Sequence, residues 1–295
     1  MKKILFSASL LLASLFLFNT PQNAFAKDLT ILAAFGTSDS EAQKSLDAIK
    51  KAYEKNGDTT IWAYSSNIIR NKLNKDKQVV YSITEALDYA HKNGYNNLKI
   101  QSLHVVPAEE YMKICRLVSR DMEKNPNRFD SVIMGHPLLS SKADLDKVVK
   151  ASLASLPKER TKNDAVVFMG HGNDRGTGDL SLIAINHVFQ ENDSLAWFAT
   201  VEGALDFEKT MQEIKANKNI KNIYLVPFMI VAGDHAKNDM AGTEEDAWAE
   251  RLKKEGYKVH TLIRGLGEIP EVQQLFIEHT ENSHDDIMNG KIISK

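Results

Sequence analysis

Eight short runs rich in aliphatic and β-branched residues recur along this chain in two sets of four, and nothing else in the sequence narrows the choice of fold so far. The first set is LTILAAF (29–35), TTIWAY (59–64), NLKIQSL (97–103) and DSVIMG (130–135). The second is DAVVFMG (164–170), SLAWFATV (194–201), NIYLVPF (222–228) and YKVHTLI (257–263). Continuous apolar runs, unlike alternating ones, fit strands covered on both faces, as in a parallel sheet. Between them lie segments of helical period, such as 40–55, 109–124, 145–156 and 244–256. Strand and helix alternating in this way form βαβ units with right-handed crossovers. The expected fold class is therefore α/β, with two similar Rossmann-like domains, each a four-stranded parallel sheet flanked by helices.

Pro157 and the charged stretch around it break the periodicity, so the domains are expected at 27–157 and 158–295. Residues 1–26 are of different composition. Lys2 and Lys3 precede an apolar stretch from Ile4 to Phe18, and Ala24-Phe25-Ala26 closes it. A basic start, a short greasy middle and a small-residue exit form the pattern of a cleavable signal peptide, and the stretch is shorter than the roughly 20 residues that span a bilayer. The expectation is a periplasmic protein with no membrane insertion after processing. A net charge of -2 gives no basic field for nucleic acid, so the ligand is expected to be small. The single cysteine, Cys115, forms no internal disulfide and sits in a segment of helical spacing.

The halves echo each other. ILAAFGTSDSEA opens the first and VVFMGHGNDRGTG the second, and the third strands lead into QSLHVVPAEEY and VPFMIVAGDHAKND. In open α/β sheets ligands lie outside the carboxyl ends of the strands, so the histidines there would face a cleft between the domains. Three residues stand at strand exits in the second half: His171 between Gly170 and Gly172, Glu202 in TVEGALD, and His235 between Asp234 and Asp239 in a polar loop. Taken singly, each reads as a turn or helix-capping residue. Together, two imidazoles and a carboxylate suit Co²⁺, Fe²⁺, Ni²⁺ or Zn²⁺ and leave positions open for a reacting group. The two glycines are read as letting the backbone turn sharply and as keeping side chains away from the imidazole. Phosphate-loop, dinucleotide and nucleophile-elbow patterns are absent from the sequence. Of the other histidines, His136 in MGHPLLSS is the one of most interest.

FMGHG, VEG, VPFMIVAGDHAKNDMAG and GLGEIP, with AFGTS and QSLHVVPAEEY in the first half, make the chain similar to the anaerobic cobalt chelatases, the sirohydrochlorin cobaltochelatases of the class II chelatase superfamily. The resemblance runs over nearly the whole chain after residue 26. It implies a chelatase enzyme that inserts a divalent metal, Co²⁺ or Fe²⁺, into a tetrapyrrole held in the interdomain cleft. It carries the metal-binding positions onto His171, Glu202 and His235, and His104 onto the opposing, first-half wall as a tetrapyrrole-binding residue. His171 and His235 are then catalytic, with His171 favoured to take a pyrrole proton. It also implies a homo-oligomer. The leader departs from the family pattern, because cobalt insertion for cobalamin synthesis belongs in the cytoplasm. The alternative reading is a periplasmic carrier of haem, another tetrapyrrole or metal, working in uptake.

Overall fold

The computed structural model describes residues 27–76, 78–172 and 178–285. The signal-like stretch 1–26 and most of the glycine-rich string after Gly172 lie outside them. Among the described residues no helix is long and apolar enough to cross a membrane.

The first half runs β1 (Asp28–Ala34), α1 (Ser40–Lys55), β2 (Thr60–Tyr64), α2 (Asn67–Lys75), α3 (Ile83–Lys92), β3 (Asn97–Ser102), α4 (Glu109–Lys124), β4 (Ser131–Gly135) and α5 (Lys142–Ala154). The second runs β5 (Ala165–Gly170), α6 (Gly178–Asn192), β6 (Ala196–Thr200), α7 (Phe207–Ala216), β7 (Asn222–Pro227), α8 (Trp248–Lys254), β8 (Lys258–Thr261) and α9 (Pro270–Glu281). Each half forms an all-parallel sheet, with orders β2-β1-β3-β4 and β6-β5-β7-β8. All eight apolar runs of the sequence are strands, and the shared strand order matches the echo between the halves.

Parallel strands must be covered on both faces, and the buried residues show how. The outer face of the first sheet is closed by α3 and α4, through Leu87, Ala90, Ile114 and Val118. The outer face of the second is closed by α7 and α8, where Phe207 stacks on Trp248 at 4.0 Å. The inner faces share one core that includes Leu32, Leu46 and Ile49 of the first half and Phe168, Phe189 and Phe228 of the second. Here α1, α5, α6 and α9 are packed between the sheets.

The sequence boundary near Pro157 does not separate the helices. Although α9 follows β8, it packs against β3, β4, α1 and α5, and α5 packs against α6. A buried polar chain fixes the crossing. Tyr53 and Thr280 hydroxyls lie 2.6 Å apart, Thr280 donates to Gln101 Oε1 at 2.8 Å, and His279 Nε2 meets Asp144 Oδ1 at 3.1 Å. Past the helix, Met134 N–H donates to Asp285 O at 3.1 Å, and Ser283 Oγ donates to Met134 O, so the last described residues run along β4. In space α9 belongs to the first half, because that sheet's inner face supplies the apolar surface it covers.

Candidate metal-transfer site

In both sheets the order reverses between the first and third strands, which is the switch point where open α/β sheets bind ligands. The loops leaving β1, β3, β5, β6 and β7 enclose a cavity of about 860 Å³ there. It falls within the range of small-molecule sites. Its first-half wall includes Phe35, Leu103, His104, Val105 and Val106, and its second-half wall includes His171, Glu202, Phe228, Ile230 and His235. Every site residue expected from sequence therefore borders one space.

The two imidazoles are brought together. His171, directly after β5, and His235, in the loop after β7, lie edge to face with ring centroids 4.9 Å apart at 85°. His171 Nδ1 faces the Gly172 carbonyl at 3.1 Å, and His235 Nδ1 faces Asp239 Oδ2 at 2.5 Å. Both partners accept hydrogen bonds, so each Nδ1 is the donor and Nε2 is the nitrogen that a neutral ring offers to a metal. Glu202 is exposed, and its backbone N–H donates to His171 O at 3.0 Å. Its carboxylate borders the cavity without completing a ligand set. Among the described residues no three His, Cys, Asp or Glu side chains stand close enough to hold a metal ion jointly.

Of the two purposes read for the glycines flanking His171, the sharp turn is present and the cleared imidazole is not what constrains them. A Cβ on Gly170 would lie 2.5 Å from the Phe198 ring. Gly172 has φ +86°, and a Cβ there would lie 1.8 Å from the Glu202 carbonyl oxygen. Both admit close neighbours; neither primarily clears the imidazole. Gly172 ties the His171 turn to the Glu202 loop through the left-handed conformation that favours glycine. Gly172→Ala is expected to cost about 2 kcal/mol through strain and this clash. Urea unfolding measures it, and a loss below about 0.5 kcal/mol would show that the loop gives way freely.

Across the cavity, Ser102 Oγ and His104 Nδ1 are 2.9 Å apart, and His104 Nε2 is buried with no hydrogen-bond partner among the described residues. Burial pushes the imidazole pKa down to about 4, with the Glu110 carboxylate working upward and Lys113 downward. The ring is therefore neutral at ordinary pH. Asp39, the N-cap of α1, pairs with Lys237 of the His235 loop at 2.5 Å and so joins the two halves at the cavity edge. The Lys237 hydrogen bond and the backbone N–H of Ala42 hold the Asp39 carboxyl below its usual range.

Sequence reasoning picked out Asp239 only as one acid in an unusually polar loop. Its contact with His235 needed the turn that follows. Residues Ala236–Met240 form a π-helical turn, a feature that recurs at functional sites. His136, flagged from sequence, lies elsewhere, with Nε2 3.2 Å from Asp285 Oδ2. Cys115 is half-buried on α4, where burial pushes its thiol pKa up.

Two parallel α/β lobes with paired imidazoles on one wall of a shared cleft define a chelatase-like protein. The cobalt chelatase (CbiK) family model matches residues 28–285, and the chain belongs to that family. It is 29% identical over 251 residues to the sirohydrochlorin cobaltochelatase CbiKC of Nitratidesulfovibrio vulgaris, covering 84% of this chain and 88% of that protein. To the sirohydrochlorin cobaltochelatase of Salmonella typhimurium it is 30% identical over 218 residues, covering 74% and 80%. Its fold is similar to the cobalt complex of the sirohydrochlorin chelatase SirB from Bacillus subtilis subspecies spizizenii, with TM-score 0.62, 14% identity and coverage of 88% and 99%. DR2241 from Deinococcus radiodurans, a multi-domain protein with structural similarity to chelatases, aligns with TM-score 0.59 and 13% identity over 89% of this chain and 56% of its own.

Proposed function

We propose that this enzyme inserts a divalent metal, with Co²⁺ the preferred ion, into sirohydrochlorin held in the interdomain cavity. The observation that carries the reading is the pair of imidazoles 4.9 Å apart on the wall of a cavity of about 860 Å³, each with its Nδ1 already committed. His171 and His235 receive the metal through Nε2, and Glu202 supplies a carboxylate from the adjoining loop once the ion is present. Phe35, Val105 and Val106 offer an apolar face to the macrocycle, and His104 contacts it from the same side.

Insertion exchanges ligands for protons. The metal leaves imidazole nitrogen for pyrrole nitrogen while two N–H protons depart. Neutral imidazole suits this exchange, because its ordinary pKa of about 6.5 is close to working pH and the lone pair freed by the metal can take a proton. His171 takes one pyrrole proton in this scheme, and the second passes to solvent water. The basic, apolar and small-residue pattern of 1–26 supports export, so we place the processed enzyme in the periplasm. Recovery of the unprocessed chain in the cytoplasmic fraction alone would contradict that placement.

The test of activity is an anaerobic mixture of purified protein, sirohydrochlorin and Co²⁺ followed by absorption spectroscopy, repeated with Fe²⁺ and with haem alone. Protein-dependent growth of the metallated spectrum is the expected result. Tight haem binding with no acceleration over the protein-free mixture would make the protein a carrier instead.

A further inference from the structure

We propose that Asp239 is a positioning residue for metal transfer, one that fixes the His235 ring and makes His235 the firmer of the two imidazole ligands. This rests on His171 and His235 being the metal-binding pair.

The argument starts from the acceptors that face each ring. A carboxylate only accepts hydrogen bonds, so the 2.5 Å contact from His235 Nδ1 to Asp239 Oδ2 makes Nδ1 the donor and leaves Nε2 as the ligating nitrogen of the neutral ring. His171 has the same tautomer, but its Nδ1–H meets a neutral peptide carbonyl at 3.1 Å. A hydrogen bond to an ionised acceptor is shorter and stronger, and it raises the donor strength of the ring's other nitrogen. The two rings present equivalent nitrogens with unequal backing.

The turn that delivers Asp239 has its other polar side chains occupied. Lys237 pairs with Asp39 across the cavity edge at 2.5 Å, and Asn238 donates to Asp234 Oδ1 at 2.7 Å. The neighbouring ammonium is thereby drawn away from Asp239, whose carboxylate is left for His235. Ala236 and Met240, both fully buried, anchor the π-helical turn in the core. The loop string GDHAKND thus reads as one unit, in which each polar residue has an assigned contact.

Asp239→Ala and Asp239→Asn, made in the full chain and checked for folding by circular dichroism, decide the matter. Co²⁺ binding is followed by its visible absorption, and metal and sirohydrochlorin KM values are measured separately. Asp239→Ala is expected to weaken Co²⁺ binding by about 10- to 100-fold and to change the Co²⁺ spectrum, with the sirohydrochlorin KM unmoved. Asp239→Asn keeps an acceptor oxygen for Nδ1–H without the charge and is expected to fall between the alanine variant and the parent. Folded variants with the parent's Co²⁺ affinity and spectrum would overturn the role of Asp239. If Asp239→Ala does not fold, parental behaviour of Asp239→Asn overturns it alone. A sirohydrochlorin KM that rises in step with the metal KM would reduce the residue to a structural one. His235→Ala with undiminished Co²⁺ affinity would instead remove the underlying ligand assignment, whatever Asp239 does.

Discussion

His171→Ala is expected to slow Co²⁺ insertion by about 10²- to 10⁴-fold at saturating metal, the range associated with loss of a positioned proton-transfer group. His171 follows the last residue of β5, and its exposed ring bears on no core cluster, so the variant should fold. Gly170 and Gly172 remain to hold the turn against Phe198 and Glu202. Because His235 and its Asp239 partner stay in place, Co²⁺ should still bind, more weakly. The loss should therefore persist when metal is raised to saturation. Steady-state rates at several Co²⁺ concentrations separate the two effects. A parental rate at saturating Co²⁺ would remove His171 from the proton step and leave it at most a ligand.

The halves are built alike, and their divergence locates the chemistry. Register pairs Ala33 with Ser102 in the first sheet and Met169 with Pro227 in the second, so Phe35 takes the place in the first half that His171 takes in the second. Gly36 and Gly172 correspond and share the left-handed backbone, with φ +95° and +86°. One turn geometry therefore presents an exposed phenyl ring on one wall and an imidazole on the other. An exposed phenyl ring facing a pair of imidazoles across the cavity is the arrangement a flat macrocycle would need if metal arrives from one side.

Strand positions were legible because burial of most of the strands leaves short runs dominated by aliphatic residues, and the residues that border the cavity could be picked out because they stand where those runs stop. The path of α9 was not. Its partners Tyr53, Gln101 and Asp144 are more than a hundred residues away in sequence, and a helical pattern does not state which surface it covers. Gly172 was legible as a turn residue, but the close approach it admits was not, since the atom it makes room for, the Glu202 carbonyl, belongs to another loop. The His235 to Asp239 spacing is visible in the sequence, but its meaning depends on the turn being helical at that point.

Between pH 6.5 and 4 the parent protein is expected to lose about 3 kcal/mol of folding stability that the variant His104→Gln does not lose. Burial holds the His104 imidazole at about 4 in the folded protein, against 6.5 for the free side chain. Below pH 6.5 the unfolded chain takes up a proton at this position that the folded chain refuses, so the unfolded state gains relative stability as pH falls. The contribution is fully present above 6.5 and exhausted near 4, below which both states are protonated. The carboxylates act in a different window. Asp39 is held below its usual range by Lys237, and Asp144 is held there by His279 against the upward push of burial. Their contributions are present above the ordinary carboxyl value of 3.8 and are lost as pH falls through it. The difference between parent and His104→Gln in urea unfolding, taken at intervals from pH 7 to pH 4, therefore isolates the histidine. Identical slopes for the parent and His104→Gln would mean that the ring is hydrated and charged in the folded protein. In that case the neutral His104 ring, and the contact it offers an incoming macrocycle, would have to be abandoned.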